Sequence, residues 1–179
     1  MLLQSFASEN KNSGPFIDLG CGPGQTTKCL FDCGITDVIG LDISSEMIAV
    51  AKDSNPMLNF EVADMLDIKY PAHSFGAAVA FYSIVHFDYD QIQSAFKEIK
   101  RTLINNGQFL FSFHIGDNIA HLDEFLEQKV NIDFHFFETS KILDLVAATD
   151  FEIIDTIERQ PYPDFEYPSK RAYIWARAK

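Results

Sequence analysis

Residues 16–25 read Phe16-Ile17-Asp18-Leu19-Gly20-Cys21-Gly22-Pro23-Gly24-Gln25. The apolar start predicts a strand, and the segment that follows predicts a helix. Glycines let the chain bend tightly and leave no Cβ in the way of a ligand, and the first turn of a helix offers free N–H groups. The run therefore predicts a nucleotide site, with G-x-G-x-G spacing rather than the G-x-G-x-x-G of dinucleotide-binding proteins.

Two further acids follow strand-like segments in the expected order. Val38–Asp42 predicts a second strand that ends in Asp42, and 58–62 predicts a third strand followed by Asp64. A carboxylate can accept both hydroxyls of a ribose. No Arg or Lys lies between Asp18 and Thr27, where phosphates would need them. This pattern favours a cationic adenosine ligand without phosphates.

The glycine run resembles the first signature of the class I S-adenosylmethionine-dependent methyltransferases, an acid followed by three alternating glycines. The match is at Asp18, Gly20, Gly22 and Gly24, and the resemblance extends over about residues 14–179. It implies S-adenosylmethionine as the cofactor. It also implies an α/β fold, Rossmann-like, with a seven-stranded mostly parallel sheet, an antiparallel last strand and helices on both faces.

The resemblance also implies which residues hold the cofactor. Asp18 and the glycines would frame the methionine moiety, Asp42 would hold the ribose, and Asp64 with the backbone of Met65 would hold the adenine. The full set of expected cofactor-binding residues is Asp18, Gly20, Cys21, Gly22, Gly24, Gln25, Asp42, Ile43, Met47, Asp64, Met65, Phe81 and Tyr82.

Strand and helix signals alternate along the chain, which is typical of a parallel sheet covered by helices. Strands are predicted at 15–19, 38–42, 58–62, 76–82, 107–114, 151–157 and 171–178, and helices at 25–33, 45–54, 89–104 and 138–149. We expect a single domain over 1–179. Residues 115–137 are expected to be an insertion with a helix-like piece at 119–128. Its aromatic end could roof a substrate pocket or form an extra strand.

Two features depart from the family pattern. Only about 14 residues precede the first strand, so the N-terminal helices that close over the cofactor in many relatives are expected to be short or absent. Gly76 stands where relatives usually have an acid at the start of the fourth strand. That acid is mostly structural, so cofactor binding is expected to survive.

Methyl transfer demands little catalytic machinery, because the sulfonium is already an activated donor and alignment supplies much of the rate. A general base is needed only if the nucleophile arrives protonated. His86 is the first candidate, since its ordinary pKa lies near neutrality, and His114 is the second. Either could instead be a packing or strand-end histidine. Arg171, near the end of the chain, could pair with Glu166 or meet an anionic substrate.

The formal net charge of −12 disfavours nucleic acid and anionic membranes as partners. It favours a small-molecule methyl acceptor, and Phe81-Tyr82-Ser83-Ile84 replaces the motif used for methylating nucleic-acid amino groups. Three cysteines with no C-x-x-C pair indicate reduced thiols in a cytoplasmic protein and no metal site. The oligomeric state stays open. The rival hypotheses are a non-catalytic module that binds S-adenosylmethionine and a nicotinamide-dependent oxidoreductase.

Overall fold

The computed structural model of the protein describes residues 2–125 and 128–179. The helices are α1 (Leu2–Asn10), α2 (Gln25–Asp32), α3 (Ser45–Ser54), α4 (Tyr89–Thr102) and α5 (Thr139–Ala148), with a 3₁₀ turn at Ile84–His86. The strands are β1 (Phe16–Leu19), β2 (Val38–Asp42), β3 (Asn59–Val62), β4 (Phe75–Phe81), β5 (Leu103–His114), β6 (Ile119–Phe125), β7 (Gln128–His135), β8 (Phe151–Arg159) and β9 (Arg171–Ala178). None of the described helices combines the length and apolar character that crossing a membrane requires.

Seven strands form the main sheet, in the order β3-β2-β1-β4-β5-β9-β8. Strands β1 to β5 pair in parallel, and β9 runs antiparallel to both β5 and β8. Side chains of α1 and α2 pack on one face, and those of α4 and α5 pack on the other. This mostly parallel seven-stranded sheet with helices on both faces confirms the predicted fold class. Helices cover both faces because a parallel sheet has to be buried on both sides.

A buried polar pair, Asp18 and Thr27, fixes the turn from β1 to α2. All four residues of β1 are buried, and Asp18 accepts a hydrogen bond from the Thr27 hydroxyl at 2.6 Å. Burial raises the pKa of Asp18 to about 7, although the hydrogen bonds from Thr27 oppose this shift. The pair ties the end of the strand to the first turn of the helix, so the intervening glycines are held in one conformation.

The missing acid at the start of β4 has a steric explanation. A Cβ on Gly76 would lie 2.1 Å from the backbone oxygen of Ser13, closer than any real contact of this kind. The Gly76 amide also donates to the Pro15 oxygen at 2.8 Å. The segment before β1 thus occupies the space that a side chain at position 76 would need.

The chain has an N-terminal helix that the sequence analysis did not predict. Phe6 of α1 is fully buried, with its ring centroid 6.0 Å from that of Phe16 and 5.4 Å from that of Trp175. Asn10 donates to the Gln108 side chain at 3.0 Å. The buried side chains of α1 therefore belong to the core, where they cover the sheet beside α2.

The predicted helix at 119–128 is wrong. Residues of β6 and β7 pair as an antiparallel two-stranded sheet, with His121 opposite Asp133, and residues 126–127 of the predicted helix lie outside the described part of the chain. The His121 Nδ1 atom lies 2.7 Å from an Asp133 carboxylate oxygen across the pair. Cross-strand pairing has overridden a helix-like spacing of apolar residues.

Two element boundaries also differ from prediction. Helix α4 ends at Thr102 rather than 104, and β5 begins at Leu103 rather than 107. The pairing of β5 with β4 shifts register between Phe75 and Ala77, so an irregularity within the strand accommodates the residues predicted as a connection.

We expect Phe6→Ala to lower the free energy of unfolding by about 3–5 kcal/mol, because truncating a fully buried aromatic side chain leaves a cavity. Chemical denaturation measures the change. Ser8→Ala in the same helix is the control, since Ser8 is exposed. Equal stability of the two variants would show that α1 does not contribute to the core.

Stability should depend on pH through Asp18. Its pKa rises from 3.8 to about 7 on folding, so its contribution is full below the unfolded value and is lost as the pH rises through about 7. Asp18→Asn keeps an acceptor for Thr27 but does not titrate. The fall in Tm between about pH 5 and about pH 8 should therefore be smaller in Asp18→Asn than in the native protein.

Differential scanning calorimetry across this pH range measures the effect, with Asp53→Asn, at an exposed position, as the control. Parallel Tm curves for the native protein and Asp18→Asn would contradict the assignment.

Candidate functional site

A cleft of about 430 Å³ opens where β1 and β4 end. Six of the predicted cofactor-binding residues line it, namely Gly20, Cys21, Gly22, Gln25, Phe81 and Tyr82, together with Pro23, Thr26 and Tyr173. The carboxyl ends of parallel strands are where such folds bind ligands. The sequence analysis therefore identified most of the lining of this cleft.

The three glycines of the turn have two different roles. A Cβ on Gly20 would lie 2.2 Å from the Cβ of Ser83, and one on Gly24 would lie 2.8 Å from the ring of Phe60. Gly22 also has a positive φ, of 53°, but no atom lies within 4 Å of the position its Cβ would take. Gly20 and Gly24 are required for packing, whereas Gly22 faces open space that a ligand can enter.

Asp42 anchors the turn and still has acceptor capacity. Its carboxylate accepts from the amide of Gly22 at 2.8 Å and from the amide of Ser44 at 2.9 Å, one bond to each oxygen. A carboxylate offers about four acceptor sites. Asp42 can therefore hold the turn and accept a diol at the same time, and this donor and acceptor set fits an adenosine ribose.

The predicted adenine residues lie beside Asp42. The amide of Ala63 donates to the Asp42 backbone oxygen at 2.9 Å, which brings the segment after β3 next to the end of β2. Ile43 is 72% exposed, an unusual state for a large apolar side chain. Asp64 is exposed and accepts from the Leu66 amide at 2.8 Å. Met47 is partly buried, and Met65 is buried in the core.

Tyr82 forms the wall opposite the glycine turn. It has a φ of 54°, a left-handed conformation that non-glycine residues seldom adopt. Its hydroxyl lies 2.8 Å from the Tyr173 hydroxyl. Next to it, the Ser83 hydroxyl is buried and has no hydrogen-bond partner within residues 2–125 and 128–179. Strained backbone and an unsatisfied buried hydroxyl are both features that occur at functional sites.

The sequence analysis did not place Tyr173 in the site. Tyr173 lies on β9 opposite Ser112 of β5, and Ser112 in turn lies opposite Phe81 of β4. Only this order of strands brings the last strand of the chain to the cleft. The signal that could have found it was the antiparallel last strand that the resemblance implied.

His114 is a weak proton acceptor in this structure. Burial, followed by the nearby charge of Arg171, lowers its pKa to about 4. Its ring stacks on Tyr82 at 4.9 Å between centroids, and its Nδ1 atom lies 2.7 Å from the Ser169 hydroxyl. Because the neutral imidazole is held between the Tyr82 ring and the Ser169 hydroxyl, His114 is better suited to position Tyr82 than to transfer protons.

His86 does not line the cleft but packs under the β6–β7 hairpin. Its ring meets that of Phe134 at 4.8 Å between centroids. Loss of hydration lowers the pKa of His86, while a hydrogen bond to the backbone of Asp133 acts in the opposite direction. The two histidine candidates thus have different ring partners, since His114 packs on Tyr82 and Phe136 and His86 packs on Phe134.

The Cys21 thiol near the turn is not activated as a nucleophile. Burial raises the pKa of the Cys21 thiol, and the charges of Asp18 and Asp42 raise it further, so Cys21 stays protonated. No group of three or more His, Cys, Asp and Glu side chains in the described ranges is arranged to hold a metal ion.

Comparison with known proteins places this geometry in a family. The methyltransferase domain family matches residues 17–111, more than half of the chain. An uncharacterized protein of Methanocaldococcus jannaschii is 24% identical over 90% of this chain and 72% of its own length. The uncharacterized methyltransferase YcgJ of Bacillus subtilis is 28% identical over 62% of this chain but only 44% of its own length.

A solved structure shows the same fold. A methyltransferase from Methanosarcina mazei, described as S-adenosylmethionine-dependent, superposes with a TM-score of 0.81 at 17% identity, covering 97% of this chain and 96% of its own. The family match, the seven-stranded sheet with its antiparallel β9 and the acid–glycine turn agree. The chain belongs to the methyltransferase domain family, and its fold is that of the class I S-adenosylmethionine-dependent methyltransferases.

Proposed function

We propose that the protein transfers the methyl group of S-adenosylmethionine to an oxygen, nitrogen or sulfur atom of a small molecule. The observation that carries this proposal is the turn at Gly22. Its left-handed backbone faces open space, and its amide is bound to the carboxylate of Asp42. A single cofactor molecule can then contact both the backbone of Gly22 and the carboxylate of Asp42.

Each part of the cofactor has a matching group of residues. The methionyl end fits the cleft at Gly20–Gly22, next to the start of α2, where Gly24 has no side chain to cap the helix and a carboxylate of the ligand can take that role. The ribose diol fits Asp42. The adenine fits the exposed side chain of Ile43, with Met47 behind it and Asp64 at its polar edge. When bound, the cofactor supplies an activated methyl group on a sulfonium.

The residues around the cleft would align the acceptor and exclude water. The hairpin β6–β7 is suited to roof the acceptor, because Phe134 packs on His86 beside the end of β4. His86, beside this roof, stays the first candidate for a general base because a pKa of about 4 makes His114 a poor proton acceptor, although burial lowers the pKa of His86 as well. An acceptor that arrives ionised needs no base at all.

The net charge of the protein supports a small-molecule acceptor, and its free thiols support a location in the cytoplasm. A net charge of −12 opposes the approach of nucleic acid and of anionic membranes. Cys21, Cys29 and Cys33 are free thiols, which suits a reducing compartment. We therefore expect neither nucleic acid nor membrane among the partners.

Binding of S-adenosylhomocysteine should depend on the space in front of Gly22. Gly22→Ala should weaken binding at least about tenfold in isothermal titration calorimetry, because the added methyl group occupies ligand space. Gly34→Ala is a matched control, since Gly34 also has positive φ and nothing within 4 Å of its Cβ position, but lies outside the cleft. No binding to the native protein, or equal loss in both variants, would contradict the proposal.

Asp42→Asn should weaken S-adenosylhomocysteine about 10- to 100-fold, because it removes a charged acceptor and turns an amide donor toward a backbone N–H. The same titration measures the effect. Asp37→Asn serves as the control, since Asp37 is exposed before the start of the same strand. An unchanged affinity in Asp42→Asn would exclude Asp42 from the ribose site.

A further inference from the structure

A cluster of polar side chains begins at Tyr82, in the wall of the cleft, and extends away from the cleft. Its members are Tyr82, Tyr173, Arg159, Arg171 and Glu166, which we call the arginine–tyrosine cluster. Tyr82 and Tyr173 line the cleft with the glycine turn. Arg159 and Arg171 face each other where β8 pairs with β9. The cluster therefore reaches from the edge of the sheet to the proposed reaction site.

The cluster carries an excess of positive charge. Glu166 accepts two bonds from Arg159, both at 2.8 Å, and forms an ion pair with Arg171 at 2.9 Å. One carboxylate thus faces two guanidinium groups. Arg171 is only 3% exposed, so water compensates little of its charge. In a protein with a net charge of −12, a buried site with a surplus cation points to an anionic ligand.

Counting hydrogens shows that the cluster also has a surplus of donors. Arg159 donates to the Tyr173 hydroxyl at 2.8 Å, and Arg171 makes a longer contact of 3.4 Å with the Tyr82 hydroxyl. The two hydroxyls share one hydrogen bond at 2.8 Å. One of their two hydrogens therefore has no acceptor in the cluster. The buried Nε of Arg171 has no partner within residues 2–125 and 128–179 either.

Tyr82 and Tyr173 are partly buried and line the cleft, so a ligand that supplies acceptor oxygens can reach their unmatched hydrogen. A carboxylate meets both requirements, because it is anionic and accepts several hydrogen bonds. The methionyl carboxylate of the cofactor already has donors on the opposite side of the cleft, at the uncapped start of α2. The hydroxyls of Tyr82 and Tyr173 are then available to donate hydrogen bonds to the methyl acceptor.

We propose that the arginine–tyrosine cluster binds a carboxylate of the methyl acceptor, so that the substrates of this protein are acidic small molecules. This inference rests on the proposed function. Tyr82 and Tyr173 make the contact, while Arg159, Arg171 and Glu166 hold the two hydroxyls and supply the charge. The hydrogen bond with Tyr173, at 2.8 Å, keeps the Tyr82 hydroxyl in this place.

The test uses the native protein saturated with S-adenosylhomocysteine. Benzoate, cinnamate, malonate and citrate are titrated calorimetrically, each beside its neutral amide. We expect at least one carboxylate to bind about tenfold or more tightly than its amide. Tyr173→Phe and Tyr82→Phe should each weaken that carboxylate about tenfold and leave its amide unchanged. If no carboxylate binds more tightly than its amide, the proposal is overturned.

Tyr162→Phe is the control variant. Tyr162 also packs on Arg159, at 4.4 Å from the ring centroid, but it is 62% exposed and lies outside the cleft lining. It should leave carboxylate affinity unchanged. If Tyr82→Phe and Tyr173→Phe lower Tm without changing the preference for the acid over the amide, the cluster is purely structural and the proposal is wrong.

A second comparison separates the two sources of a carboxylate. 5′-Methylthioadenosine has the adenosine part of S-adenosylhomocysteine but no methionyl carboxylate. If Tyr173→Phe weakens S-adenosylhomocysteine and not 5′-methylthioadenosine, the cluster holds the cofactor, and the assignment to the acceptor is overturned. If the native protein binds neither nucleoside, the failure is that of the proposed function itself.

Discussion

The site depends on one close approach, between the backbone of Gly20 and the side chain of Ser83. Their separation leaves no room for a Cβ on Gly20, so the turn after β1 and the segment after β4 meet directly. The pair of Asp18 and Thr27 holds the turn from below. Because these contacts fix the turn, the left-handed backbone of Gly22 and of Tyr82 can face each other across the cleft.

Charge divides this cleft into two sides. The carboxylate of Asp42 lies on the side of the glycine turn, where a cationic sulfonium cofactor is favoured. Arg159 and Arg171 lie behind Tyr82 on the other side, with one carboxylate between them. A cation and an anion bound on these two sides would attract each other across a short gap. Such an arrangement aligns two substrates without requiring a residue that transfers protons.

The sequence predicted what depends on short-range chemistry. The β1–α2 turn was readable because glycine and acid spacing has a direct steric and hydrogen-bonding meaning. Tyr173 was missed because its place depends on which strands become neighbours. Strand β6 was read as a helix because apolar spacing from Ile119 onward suits either structure, and pairing with β7 decided between them. Helix α1 was missed although Leu3 lies three residues before Phe6 and four before Ala7, the spacing of one helix face.

A crystal structure of the protein grown with S-adenosylhomocysteine would show directly where the cofactor binds. We expect the homocysteine end between Gly22 and Tyr82, with both ribose hydroxyls on the carboxylate of Asp42. The chain has another, larger groove of about 820 Å³ at the starts of β2 and β4, lined in part by Val38, Tyr70 and Phe75. A nucleoside bound in that groove, with the glycine turn untouched, would contradict the account.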